Sequence, residues 1–220
     1  MTTISDVWLS SPIDAWRRIG FSDALIPQPD GSMVSCISIA GLGFRFLPEL
    51  SSPSATGSCV TGWTIVSDRQ ELASVDGVTT CVISEPLGGV DSKHELQVQS
   101  IDHIVITTGS LDRTCGAIAE QLGLPLKRIR DAGHGVRQGF HRAGSIILEV
   151  VERPDLAPET AAEIWGVVFV VEDLDGAVAW LGPDAIGAPR DAVQSGRRIA
   201  SMKKDVGLGL PVALMSPHVH

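Results

Sequence analysis

The chain repeats itself. IDHIVITTGSLD at 101–112 lines up without a gap on IWGVVFVVEDLD at 164–175, an offset of 63 residues. Each copy opens with the apolar run of a strand and ends in a Leu-Asp that starts a helical pattern. The first helix carries Leu111, Cys115, Ile118 and Leu122 on one face, at offsets of 0, 4, 7 and 11. The second repeats that stripe as Leu174, Val178 and Leu181. Ser110 or Asp112 can cap the first helix and Gly123 can end it. Downstream, GVRQGFHRAGSIILEVV is echoed, with a longer turn, by GRRIASMKKDVGLGLPVALM. Residues 97–152 and 164–217 therefore read as two copies of a β-α-β-β-β unit, joined by RPDLAPETAAE at 153–163. The fold class is α+β.

Residues 1–96 follow the same rhythm more faintly. Strands are expected at 4–10, 33–40, 42–47, 59–66 and 78–84. A short helix is expected after Ser11 and Pro12, with Ile13, Trp16 and Ile19 on one side and Gly20 as its stop. Between 59 and 86 the unit has lost most of its helix. A Ser/Pro/Gly loop falls at 48–58, and the best linker is PLGGVDSKHE at 86–95. The domains are thus a shortened half, 1–96, and a fuller half, 97–220, made of the two modules.

Charge and composition narrow the function. A net charge of −9 with scattered Lys and Arg argues against nucleic acid as a partner. No apolar run is long enough to span a bilayer, and the N-terminus lacks the marks of a signal peptide. The four cysteines are widely spaced with no CxxC, which suits a reduced, cytoplasmic protein with mostly buried thiols. There is no tyrosine. His94, His134, His218 and His220 sit in a linker, a glycine turn and a tail, where solvation is expected. The five tryptophans read as core by default, although Trp165, beside Gly166, is placed to line a pocket.

A tandem β-α-β-β-β unit opening with Asp-His-Ile and closing with Leu-Glu-Val-Val resembles the vicinal oxygen chelate superfamily. That group includes glyoxalase I, bleomycin-resistance proteins, extradiol dioxygenases and methylmalonyl-CoA epimerase. Within it the chain is similar to short actinobacterial glyoxalase-like proteins of unassigned function. The resemblance covers 97–217 well and 1–96 faintly. It implies paired modules forming curved mixed sheets around a cavity. It also implies, in metal-using members, four ligands: one on the first and one on the last strand of each module. His103 and Glu149 match two of these positions. Gly166 and Ala213 fall at the other two and cannot ligate. Family members often pair modules between chains, so a homodimer is an expectation too.

Strand parity places the other candidates. A two-residue turn at Ala143-Gly144 pairs Arg142 with Ser145, Phe140 with Ile147 and Gln138 with Glu149. One face then carries Gln138, Phe140, Arg142, Ile147, Glu149 and Val151. The other carries His141, Ile146, Leu148 and Val150, and must cover the helix. The echo in the last module puts Arg198 at the Gln138 position. A carboxylate in an apolar cavity needs a nearby cation to stay ionised, and Arg142 or Arg198 is placed to supply it.

Two readings stay open. In the first, the cavity binds a small, partly apolar anion, with Gln138, Phe140, Arg142 and Arg198 as the binding residues and a degenerate metal site. In the second, His103 and Glu149 are catalytic, moving a proton beside a carbonyl in a lyase, isomerase or dioxygenase type of reaction. Two protein ligands are too few for a catalytic ion, so no resident cofactor is expected. Were a third supplied by Gln138 or the N-terminal half, Zn, Ni, Fe or Mn would be the candidates.

Overall fold

A computed structural model describes residues 2–28, 31–47, 57–69, 71–86 and 92–218. Most of the expected loop at 48–58, half of the linker at 86–95, and His220 lie outside the described residues.

The elements run β1 (Thr3–Leu9), α1 (Asp14–Arg18), β2 (Ala24–Pro27), β3 (Met33–Ile39), β4 (Leu42–Phe46), β5 (Val60–Val66), β6 (Ser74–Val75) and β7 (Val78–Ile83). They continue with β8 (Val98–Thr108), α2 (Leu111–Leu122), β9 (Arg128–Asp131), β10 (Arg137–Ala143) and β11 (Ile146–Glu152). The last module is β12 (Glu163–Val171), α3 (Leu174–Leu181), β13 (Arg190–Asp191), β14 (Arg198–Ser201) and β15 (Val212–Met215). Two open mixed sheets result, ordered β2-β3-β4-β1-β5-β7-β6 and β13-β14-β15-β12-β8-β11-β10-β9. Among the described residues no helix is long and apolar enough to cross a membrane.

The repeat governs the C-terminal sheet. β8 and β12 are its central, antiparallel pair, with Ile104 opposite Val167. Those two residues are 63 apart, so the offset maps this pair onto itself and exchanges His103–Val168 with Val105–Gly166. A local twofold therefore passes through Ile104 and Val167. Each central strand carries a bulge at the equivalent place. Asp102 is the extra residue between Ile101 and His103, and Trp165 is the extra residue between Ile164 and Gly166.

The helices form where the stripe predicts. Leu111, Cys115, Ile118 and Leu122 are all buried, each side chain stabilising the fold by roughly 2 kcal/mol. The Ser110 hydroxyl accepts from the Arg113 N–H, and Gly123 closes the helix in the left-handed region at φ 66°. Asp173 caps α3 in the same way, accepting from the Gly176 N–H. The first helix differs from expectation. It starts at Asp14 without a side-chain cap, because the Ser11 hydroxyl is turned to the Leu208 carbonyl of the other half.

Helices and inner sheet faces share one core. Trp16 of α1 packs on Phe21, Phe44, Phe46 and, across the junction, Phe169 of β12. Its indole N–H donates to the Leu208 carbonyl at 3.0 Å. Arg69 donates to the Glu120 carbonyl at the end of α2, and Arg113 binds Asp76 at 2.7 Å. The halves are thus joined through their helix-bearing sides. A second, small apolar cluster (Val168, Ala213, Met215, with Ile199 and Ala192 beside it) lies apart from that core, on the helix-free face of the C-terminal sheet.

Candidate functional site

The β10–β11 hairpin turns at Gly144-Ser145, one residue later than expected. Ala143 pairs with Ile146 and Phe140 with Glu149, so the register moves by two residues. A shift of two preserves parity, and the faces stay as expected: Leu148, Val150 and His141 are fully buried toward α2. Gln138 becomes a diagonal neighbour of Glu149, and its Nε2 donates to Glu149 Oε1 at 2.7 Å.

His103 pairs with Ile147 in β11, and Val105 with Glu149, so both site residues project from the helix-free face. His103 Nε2 stands 3.2 Å from Glu149 Oε2. Strand alternation would send Asp102 to the opposite face. The bulge re-aims it, and Asp102 Oδ2 lies 2.7 Å from His103 Nδ1. Its other oxygen accepts from Arg197 Nη1 at 2.6 Å. Arg197 is buried and also donates to the Ser216 carbonyl and to Gln194. A continuous chain results: Arg197, Asp102, His103, Glu149, Gln138.

The charge on Asp102 can be assigned. Burial alone would raise the Asp102 carboxyl, but the hydrogen bonds from His103 and Arg197 outweigh it and hold the group down at about 2. An ionised carboxylate only accepts, so the proton between it and the imidazole sits on Nδ1. The other ring nitrogen, Nε2, is then the one that faces Glu149. Among the described residues Gln138 Oε1 and Arg197 Nη2 are buried without partners. Gln138 Oε1 is therefore an acceptor left without a donor beside the site.

The expected cations are elsewhere. Arg198 is the counterpart of Arg137 rather than of Gln138. Arg137 binds Asp112 on α2 at 3.0 Å, and Arg198 binds Asp175, 63 residues on from Asp112, at 2.8 Å on α3. Both arginines lie on the helix side; Ile199 holds the Gln138 place. Arg142 keeps the expected face but is exposed, with its guanidinium on the Ser145 carbonyl. The basic residues flanking the site come from β9 instead. Arg128 pairs with Phe140 and stacks over its ring at 4.6 Å, and Arg130 pairs with Gln138. Neither forms an ion pair among the described residues. The short edge strand carrying them has no apolar alternation to mark it in the sequence.

The other histidines differ in part from expectation. His134 is exposed in its turn, at φ 53°. His94 instead packs on Phe21 and accepts from the Val98 N–H, and His218 Nε2 lies 3.3 Å from Arg197. Cys36 and Cys115 are buried, whereas Cys81 is exposed. Trp180 is half exposed, against the core reading.

A four-ligand ion does not fit the residues present. The β12–β15 register sets Ala213 opposite Val168 as Glu149 is set opposite Val105, so Ala213 and Gly166 do hold the remaining ligand places. A Cβ on Gly166 would come within 2.8 Å of the Pro211 carbonyl oxygen, which leaves no space for a ligating side chain. Among the described residues no three His, Cys, Asp or Glu side chains are grouped to hold a metal.

No protein-family model and no curated sequence matches the chain. Solved structures do. A triple mutant of 4-hydroxymandelate synthase from Streptomyces coelicolor matches 99% of this chain and 93% of its own, at 11% identity and a TM-score of 0.70. Methylmalonyl-CoA epimerase from Mycobacterium tuberculosis matches 57% of this chain and 92% of its own, at 17% identity and a TM-score of 0.46. A variant of the Streptomyces coelicolor epimerase matches 56% and 99%, at 21% identity and a TM-score of 0.45. The match along the whole chain to the synthase establishes the architecture: this protein has the vicinal oxygen chelate fold.

Proposed function

We propose that the helix-free face of the C-terminal sheet is a proton-transfer site for a small anionic carbonyl compound. The observation that carries this reading is the Asp102–His103–Glu149 chain, in which a buried, Arg197-anchored carboxylate fixes the tautomer of an imidazole facing a second carboxylate. In the reactive form Glu149 is ionised and His103 is the imidazolium. The Glu149 carboxylate takes a proton from carbon next to the carbonyl. His103 Nε2–H gives its proton to the carbonyl oxygen, so an enol forms with no net change in protons. Return of a proton to carbon from Glu149 reverses or isomerises the substrate. Arg128 and Arg130 are placed to hold an anionic group, and Val168, Ala213 and Met215 offer an apolar bed.

The test is wash-in of solvent deuterium at the α carbon of pyruvate, acetoacetate and phenylpyruvate, followed by proton NMR. His103→Ala and Glu149→Gln should each slow exchange by about 100-fold or more. Exchange no faster than buffer with all three compounds, or wild-type rates in both variants, would end the proposal. A second reading is favoured by the two arginines on β9, which form no ion pair among the described residues and pair with Phe140 and Gln138: the face binds such an anion without reacting. Calorimetric binding of phenylpyruvate without exchange would select it.

A further inference from the structure

A cavity of about 470 Å³ opens in the seam between the two halves, within the size range of small-molecule sites. It shares no lining residue with the His103 chain. The β1–α1 connection contributes Pro12, and β12 contributes Trp165. The segment between β14 and β15 contributes Met202, Lys203, Lys204 and Leu210. The bulge that turns Asp102 toward Arg197 has its counterpart at Trp165, which places that indole on the seam. Its walls are preset by bonds between the halves: Cys59 N–H donates to the Gly209 carbonyl at 2.6 Å, and Ser11 and Trp16 both donate to the Leu208 carbonyl.

The chemistry of the lining selects a class of ligand. Most of it is apolar, and Trp165 and the proline rings give flat surfaces suited to a planar group. Lys203 and Lys204 are exposed and form no ion pair among the described residues, in a chain whose net charge is −9. Two unneutralised ammonium groups beside an apolar slot favour a single anionic group on an aromatic body.

We infer that this seam cavity is a second ligand site, for a planar aromatic carboxylate of about two fused rings. The ligand's ring lies against Trp165 and its carboxylate meets Lys203 and Lys204. Binding bridges residues of both halves, so it raises the melting temperature of the whole chain. This site stands independently of the proton-transfer reading.

The probe is 2-naphthoate, with neutral 2-naphthamide as its control, titrated calorimetrically into the full-length protein. The expected result is a Kd for naphthoate below ~1 mM, with the amide weaker by about tenfold. The double substitution Lys203→Gln, Lys204→Gln should remove that difference, and Trp165→Ala should weaken both ligands by about tenfold. Arg128→Ala should leave both unchanged. No binding, equal affinity for acid and amide, or loss of binding in Arg128→Ala overturns the inference. In the unaltered protein, intermolecular NOEs from the naphthalene protons to the Trp165 indole support it. NOEs to Phe140 or His103 instead overturn it, so the conclusion does not depend on the variants folding.

Discussion

Asp6 and Arg45 meet at 2.9 Å in the N-terminal sheet, at the places that His103 and Glu149 occupy in the C-terminal one. Asp6 lies opposite Gly43 and Trp8 opposite Arg45, as His103 lies opposite Ile147 and Val105 opposite Glu149. Ser5 is the bulged residue before Asp6, as Asp102 is before His103. The N-terminal half has thus kept the geometry of the site and replaced its chemistry with a buried ion pair, supported by Gln28 on Arg45 Nη1. Removing one member strands the other. Arg45→Met should cost about 3 kcal/mol in urea unfolding, whereas Asp6→Leu combined with Arg45→Met should recover most of it. A single variant within 0.5 kcal/mol of wild type would show that the pair is inert.

The Asp102–Arg197 contact makes a related prediction with a pH signature. The folded carboxyl is held at about 2, below its ordinary 3.8. A depressed acid stabilises the fold above the unfolded value, and that contribution is lost as pH falls from about 4 through about 2. The shift corresponds to about 2 kcal/mol. Asp102→Asn should therefore flatten the stability profile between pH 4 and pH 2. Arg197→Met should destabilise at neutral pH by about 3 kcal/mol, because it leaves a buried carboxylate with only His103. An unchanged acid limb in Asp102→Asn would separate this carboxylate from the acid transition.

Much of this fold was legible because it rests on periodicity. The 63-residue offset, the stripe from Leu111 to Leu122 and the two faces of β10 and β11 all follow from spacing, and a two-residue error in the hairpin left the faces intact. The site was legible only in part. His103, Glu149 and Gln138 come together, yet Asp102 and Arg197 escape a parity argument because a bulge breaks the alternation and Arg197 precedes its strand. Arg198 shows the reverse failure: one step of misalignment moved it across the sheet. Arg128 and Arg130 lie on a four-residue edge strand with no apolar pattern, and only its pairing with β10 sets them beside Phe140 and Gln138. In the N-terminal half, Asp6 and Arg45 do not resemble the residues they replace, so only strand register reveals the equivalence.

His141 supplies a second pH dependence, of the opposite kind of group. Its side chain is fully buried, with Nδ1 bonded to the Leu124 carbonyl at 2.8 Å. Burial lowers its pKa below the ordinary 6.5, despite the nearby carbonyls. The unfolded chain then takes up a proton before the folded chain does. Its contribution is complete above about 6.5 and is lost as pH falls below that value. His141→Gln should reduce the slope of unfolding free energy against pH between 7 and 5. Equal slopes in the two proteins would show that other histidines set it.

Arg128 and Arg130 predict charge selectivity at the helix-free face. Alanine at either position should weaken phenylpyruvate binding by about tenfold and leave its neutral methyl ester unchanged, since only the carboxylate makes charge-assisted bonds. Arg198→Ala should change neither ligand, because that guanidinium is engaged with Asp175 on the other side of the sheet. Calorimetry on the three variants decides the matter, and a loss confined to Arg198→Ala would reverse the assignment.

Glycine at the second ligand place is a packing requirement rather than a simple loss. Gly166 has Gly62 as its counterpart in β5, and a Cβ at either would strike a neighbouring strand: the Pro211 carbonyl oxygen at 2.8 Å, or that of Thr79 at 2.7 Å. Both are backbone atoms paired into a sheet, so they cannot swing aside as a flexible side chain could. Gly166→Ala should therefore destabilise by about 1–3 kcal/mol although one methyl is added to an ordinary strand conformation. The same clash predicts that Gly166→His with Ala213→Glu will not rebuild a four-ligand ion site, since β15 must move before the imidazole can enter. Thermal melts with and without added zinc check both claims. A rise in melting temperature with zinc in the double variant alone would mean that β15 yields more readily than its pairing with β12 implies.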